Sequence, residues 1–464
     1  MRNHAYIATL VFWALSLSVP TTAGAGPMFQ SKLASAGMME QAKTAIRNGN
    51  YVEAARILQP LAERGDAAAQ TNLGLLYDTG LGVTQDEAVA LWWFQLAAAN
   101  GSAVAQSYLG VMYDNGRGVP QNYPEALRWY RLAAAQGIAP ARSNLGIMYD
   151  KGRGVTQNYE EAVKWWRLAA EQDNAAAQFN LGVMYNDGRG VDQNSTEALK
   201  WWRLAAQQGF EPAQFKLGFK FANGQGVAQN YEEAAKWYRL AAAQGNTSAQ
   251  SDLGVMYDKG RGVAQDFAEA ARWYQLAAAQ GNVTAQLNLG VMYDDGRGVA
   301  RDFTEAAKWY RLAAAQNDAT AKNNLGSIYA HGRGVAQNYA GALKWYRLSA
   351  AQGNVTAQYN LGEMAAEGLG ELQNYLEALK WYRIAASHGN TSAQYSIGAL
   401  YANGLGVARN DIKGYAWYSI SAANGNERGR VYRDALLGRM TREEIAAGQV
   451  LAAKCEKSNY KECE

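Results

Sequence analysis

Ten tryptophans, Trp93, Trp129, Trp165, Trp201, Trp237, Trp273, Trp309, Trp345, Trp381 and Trp417, stand 36 residues apart without an insertion or deletion. A fixed period of this length means one supersecondary unit copied along a solenoid, in which each unit buries its apolar face against its neighbours. Such an array offers an extended surface and seldom one enclosed pocket. The 464 residues therefore need no single large core, and a domain count from length would mislead.

A row of glycines, Gly74, Gly110, Gly146, Gly182, Gly218, Gly254, Gly290, Gly326, Gly362 and Gly398, keeps the same register. Alanine stands five residues before each, Leu (once Ile397) one before, and usually Tyr three after, as at Tyr77, Tyr113 and Tyr149. Spacings of four place these on one face of a first helix. A glycine inside that helix costs about 1 kcal/mol relative to alanine, which predicts close backbone approach by a neighbouring helix. G-x-G-V follows, as in Gly116-Arg117-Gly118-Val119, where glycine with positive φ ends the helix. The second helix carries Ala126, Trp129, Tyr130 and Ala133 within an arc of about 100°, the width of a core-facing stripe, so the tryptophan is expected in the core. Lys or Arg on either side of the aromatic pair (Lys236 and Arg239, Lys308 and Arg311) falls on the opposite face, and Gln-Gly-Asn closes the unit. Four repeated glycine positions hold 38 of the 48 glycines, so the glycine content is turn chemistry, not disorder.

These patterns predict an all-α fold, a right-handed α/α superhelical solenoid of ten helix-turn-helix repeats over residues 65–426. Residues 26–64 form a degenerate capping hairpin with Asn48-Gly49-Asn50 as its turn, and 427–464 a C-terminal capping helix and tail. Thr441-Arg442-Glu443-Glu444 has the spacing of a capping box and starts a last helix that reaches about Lys457. Residues 1–25 read as a secretory signal, with Arg2, an apolar run from Ala5 to Val19 and an A-x-A site at Ala23-Gly24-Ala25. The run is shorter than the roughly 20 residues a spanning helix needs, so stable membrane insertion is not expected and the chain reads as exported, periplasmic or secreted. The two cysteines, Cys455 and Cys463, can pair in an oxidising compartment. With 44 basic and 41 acidic residues, the chain lacks the concentrated positive charge that nucleic acid requires.

The combined pattern A-x-x-x-L-G-x-x-Y-x-x-G-x-G-V, then E-A, W-Y-R-L-A-A and Q-G-N, resembles the Sel-one-like repeat family, relatives of tetratricopeptide repeats. Met440-Thr441-Arg442-Glu443-Glu444-Ile445-Ala446 resembles the segment that often closes bacterial members. The resemblance implies a noncatalytic adaptor for protein complexes, frequently exported, in envelope maintenance or host contact. Cysteine-rich relatives, some of which bind or cleave β-lactams, carry a disulfide in each repeat. No repeat here contains cysteine, so that activity is not carried over.

The residues themselves offer little chemistry. His4, His331 and His388 have no partner at ligand or base spacing, and no metal, phosphate-loop or nucleophile motif is present, so no cofactor and no catalysis are expected. Arg117, Arg153, Arg189, Arg261, Arg297 and Arg333 share one loop position and would form a basic edge for an anionic polymer such as peptidoglycan. Asp114, Asp150, Asp258 and Asp294, three residues before four of these arginines, favour local ion pairs instead. Asn72, Asn144, Asn180, Asn288, Asn324 and Asn360 lie two before the reference glycine, placed either to hold a peptide backbone or to bond locally or to the adjoining repeat. One position earlier stand Phe179, Phe215, Tyr359 and Tyr395, against Thr71, Ser107 and Ser251 elsewhere, and these aromatics mark contact patches or repeat drift. Repeat five departs from the pattern at Lys216, Lys220, Phe221 and Gln225, and repeat nine at Ala365, Leu369 and Glu371.

Overall fold

The structure, a computed structural model, describes residues 27–458, 460 and 463. The expected export signal lies outside them. Every regular element among the described residues is an α-helix. A pair, Pro27–Arg47 and Tyr51–Glu63, precedes ten hairpins, from Ala67–Thr79 with Glu87–Ala99 to Thr391–Asn403 with Asp411–Ala423. Within each compact unit a hairpin packs its two helices together and its second helix against the first of the next. The chain is an all-α solenoid, divided between Gln229 and Asn230 into two compact units, so that the two helices of repeat five belong to different units.

Capping sets the helix ends. In repeat seven Asn282 accepts from the Ala285 amide at 2.8 Å to start the first helix, and Gly296, at φ 70°, ends it in the left-handed conformation. Asp302 then accepts from Thr304 and Glu305 to start the second. The return to the next repeat also needs positive φ. Where glycine is replaced there, by Asp173 and Asn317, the backbone keeps φ at 57° and 74°.

Packing corrects two sequence expectations. The reference glycine does not admit a neighbouring backbone; it admits an aromatic ring from the second helix of its own hairpin, 20 residues on. A Cβ at Gly290 would stand 2.6 Å from Tyr310, at Gly254 2.6 Å from Tyr274, and at Gly146 2.6 Å from Trp166. The seated ring is therefore the residue after the marker tryptophan: Tyr130, Tyr274 and Tyr310 are only 1% exposed. The marker itself is half-buried in seven of the ten copies. Trp309, for example, packs against the cluster that includes Tyr274, Leu289 and Met292, at the seam with the preceding repeat. Consecutive residues of a helix point about 100° apart, so the pair divides its work: one ring closes the hairpin and the other joins hairpins.

The second glycine of G-x-G-V, at positive φ, lets the loop lie on the start of the preceding second helix; a Cβ at Gly298 would collide with the Phe267 carbonyl oxygen. At the C-terminus the structure has one helix more than the sequence suggested. Glu427–Leu437 precedes Arg442–Lys457, and the latter starts on the expected capping box of Thr441 and Glu444. A disulfide joins Cys455 to Cys463, and Tyr460 between them stacks on Trp417 with centroids 6.0 Å apart, closing the last core.

Replacing Gly290 with alanine gains about 1 kcal/mol of helix propensity but overpacks Tyr310, at a cost of about 1–3 kcal/mol. The expected outcome is a net loss of amide-exchange protection confined to repeat seven and its neighbours. A protection pattern that rises throughout would refute the ring seat.

Candidate binding surface

The polar side chains that recur from repeat to repeat are largely taken up by bonds between repeats. Four residues before the reference glycine stands a buried glutamine in eight of the ten copies, a row the sequence reading passed over. Gln286 donates to the Ala278 carbonyl, at the end of the preceding second helix, at 3.1 Å, and accepts from Gln316 at 3.0 Å. Gln250 and Gln178 repeat both bonds. The arginine after the aromatic pair reaches the tyrosine of the next first helix: Arg131 to Tyr149, Arg167 to Tyr185 and Arg239 to Tyr257, each at 3.0 Å.

The loop arginines do not pair locally with the aspartate three residues before them, as the sequence suggested. Five of the six pair with an aspartate 39 residues earlier, in the preceding repeat: Arg117 with Asp78 at 2.5 Å, Arg333 with Asp294 at 3.1 Å, Arg297 with Asp258 at 3.3 Å, Arg189 with Asp150 at 3.6 Å and Arg153 with Asp114 at 3.7 Å. The cause is the loop seat: the second glycine brings the G-x-G-V loop onto the preceding repeat, within reach of that repeat's first-helix C-terminus. Arg153, Arg189, Arg297 and Arg333 also cover rings of the preceding repeat at 5.3–5.6 Å. Arg261, with Ala222 in place of the acid, lies over Tyr231 at 5.7 Å. Burial raises the Asp78 and Asp114 carboxyls above their ordinary range, and the facing arginine partly offsets it. The row is thus a ladder of alternating charge.

The asparagines face the tyrosines seated in the preceding hairpin. Asn144, Asn288 and Asn324 lie beside the hydroxyls of Tyr130, Tyr274 and Tyr310, and the last donates to Asp294 at 3.4 Å. Burial first, and the nearby Asp114, Asp258 and Asp294 next, push those hydroxyls well above the usual tyrosine range. Asn72 is buried and donates to the Ala68 carbonyl at 2.8 Å, Asn360 donates to Asn323 at 3.1 Å, and Asn180 is half-buried. Asp252 takes the asparagine's place against Tyr238, and burial raises its carboxyl.

The flank three residues before the glycine is where repeats differ. Thr71, Ser107, Ser143 and Ser251 are covered there, whereas Phe179, Phe215, Tyr359 and Tyr395 extend from it and stay half-exposed. Phe179 meets Phe210 at 5.6 Å, Tyr359 meets Tyr382 at 5.8 Å, and Tyr395 meets Tyr418 and Tyr432 at 5.5 and 5.3 Å. A second exposed row, not singled out from the sequence, runs along second helices: Leu132, Leu204, Leu240, Leu276, Leu312 and Leu348 are 37–45% exposed.

Repeat nine's departures compensate one another. Ala365 removes the tyrosine that Arg347 would bond, and Glu371 takes over at 2.6 Å. His331 and His388 bond carbonyls of their own helix ends, Ser327 and Ile384, at 2.8 and 2.9 Å. Among the described residues no group of His, Cys, Asp and Glu has the arrangement of a metal site, and no helix is long and apolar enough to cross a membrane.

A family model described as Sel1 repeat matches ten consecutive segments, from residues 67–102 to residues 391–426. A solved structure described as a protective antigen present in uropathogenic Escherichia coli strains, displaying an SLR fold, is 33% identical, covers 88% of this chain and 96% of its own, and has a TM-score of 0.68. A Sel1 repeat protein from Oxalobacter formigenes is 36% identical over 53% of this chain and 96% of its own, with a TM-score of 0.45. Comparison with curated proteins finds no match.

A double-mutant cycle of Arg297→Ala and Asp258→Ala should give a coupling of about 1 kcal/mol that shrinks in high salt, because the pair is only partly exposed. A cycle of Arg297→Ala with Asp294→Ala, its neighbour three residues before, should give a smaller value. The reverse order would restore the local pairing.

Proposed function

The chain belongs to the Sel1 repeat family, and from that premise we propose that it is a noncatalytic scaffold, exported to the bacterial envelope or beyond, that holds a protein or peptide partner along its first helices. Sel1 repeat proteins are generally scaffolds for protein–protein interaction. One observation carries the reading for this chain. Its recurring polar side chains are consumed in joining repeats, whereas the first-helix flank bearing Phe179, Phe215, Tyr359 and Tyr395 varies from repeat to repeat and stays half-exposed. A surface that varies on a constant frame suits recognition of one specific partner, since each repeat adds contacts that differ from its neighbour's.

Export is supported by the leader-like residues 1–25, by the two cysteines at the chain's end, and by a relative described as a protective antigen. Recognition of an anionic polymer such as peptidoglycan draws less support, because five of the six loop arginines already face carboxylates.

The test is capture from envelope extract with residues 26–464, eluted in salt steps. One protein at fixed stoichiometry should remain through about 0.5 M salt, where surface charge contacts are largely screened. Removing residues 283–318, one whole repeat, should leave helicity per residue unchanged and weaken that partner's binding about tenfold. Glycan alone, released by modest salt, would overturn the reading in favour of the arginine ladder.

A further inference from the structure

Repeat five holds two cations, Lys216 and Lys220, without an ion-pair partner among the described residues. Lys216 lies two before the reference glycine, where six other repeats carry asparagine. Lys220 lies two after it, where Met112, Met148, Met184, Met256, Met292 and Met364 form the core, and it is only 8% exposed. Four residues apart on the helix Glu211–Asn223, the two share a face. Both ammonium groups lie over the same ring, Trp202, at 5.5 and 5.7 Å from its centroid. Among the described residues no carboxylate forms an ion pair with either. The acid whose charge acts on Lys220 is Asp187, which pairs with Arg189 at 3.2 Å. Burial, and then the charge of Lys216, push the Lys220 ammonium below its ordinary range.

The rest of the repeat has adjusted to its own departures. Gln225 stands where six other loops carry arginine, and Asn186, 39 residues earlier, stands at the position of the partner aspartate, so both charges of that pair are gone. Phe221 replaces the tyrosine that accepts from the preceding arginine, and Arg203 lies over its ring at 5.7 Å instead. The two lysines alone remain unanswered. An indole ring attracts cations, yet two that repel each other share this one, and one has displaced a core methionine to do so. The chemistry that answers this arrangement is an anion with two oxygens. Phe179, whose carbonyl accepts from the Trp202 indole at 3.1 Å, and the exposed Phe219 offer apolar surface beside it.

We propose that Lys216 and Lys220 anchor a carboxylate of the bound peptide, an acidic side chain or a free C-terminus, on the first-helix face of repeat five. The inference rests on the scaffold reading above and names the ligand chemistry it implies.

The test pans the full chain, and its K216N/K220M variant, against random peptides of about ten residues, displayed once with the C-terminus free and once with it blocked. Both substitutions restore residues that other repeats carry at these positions, so the variant should keep its helicity and melting profile. Wild type should enrich peptides with Asp or Glu at a fixed position in both formats, or a free terminus in the first format only, and the variant should lose that preference. The synthetic winner should bind the variant at least about tenfold more weakly. Enrichment without carboxylate preference, or a winner that binds the variant within about twofold, would overturn the anchor while leaving the scaffold reading intact. No enrichment in either format would overturn both.

Discussion

Nine of the ten repeats show a glycine flank meeting an aromatic ring 20 residues later, and the hairpin depends on that contact. The glycine is a poor helix residue, but its missing side chain lets Tyr130, Tyr274, Tyr310 or Trp166 lie flat against the helix and become almost wholly buried. Burying such a ring is worth roughly 2–3 kcal/mol, more than the roughly 1 kcal/mol the glycine costs. The contact fixes how the two helices of a hairpin cross. That crossing in turn sets where the G-x-G-V loop lands on the preceding repeat.

Loop placement explains the bonds that join repeats. Once Gly298 seats against the Phe267 carbonyl, Arg297 comes within reach of Asp258, and Gln286 sits between the ends of two second helices. All these bonds reach only the adjoining repeat, so stability is close to a sum of nearest-neighbour terms. The consequence for function is separation of roles. Side chains that join repeats recur, and the first-helix flank can vary without disturbing the frame.

The period, the helix pairs, the glycine caps and the final capping box were all legible in the sequence, because each is a local pattern with a fixed spacing. What was misplaced depended on relations between repeats. Trp129 and Tyr130 are adjacent and both apolar, so periodicity alone put both in the core; only packing shows that one faces its own hairpin and the other the seam. Asp258 and Arg261 sit three apart in sequence, which invited a local pair, yet the loop carries each toward a different repeat. The glutamine row was visible as a period, but a polar residue on a mostly apolar helix offered no reason to expect burial until its carbonyl partners were seen. Lys220 was noted as a departure from the pattern. That it replaces a core methionine and stands over Trp202 without a counter-ion is a three-dimensional fact.

The central claim is that binding belongs to the variable flank of the first helices and not to the arginine ladder or the leucine row. Hydrogen exchange of the chain with and without its captured partner tests this most directly, because it locates protection segment by segment. The account predicts protection in first helices, strongest in those that carry Phe179, Phe215, Tyr359 and Tyr395. Protection confined to the G-x-G-V loops, or to second helices around Leu240 and Leu276, would contradict it.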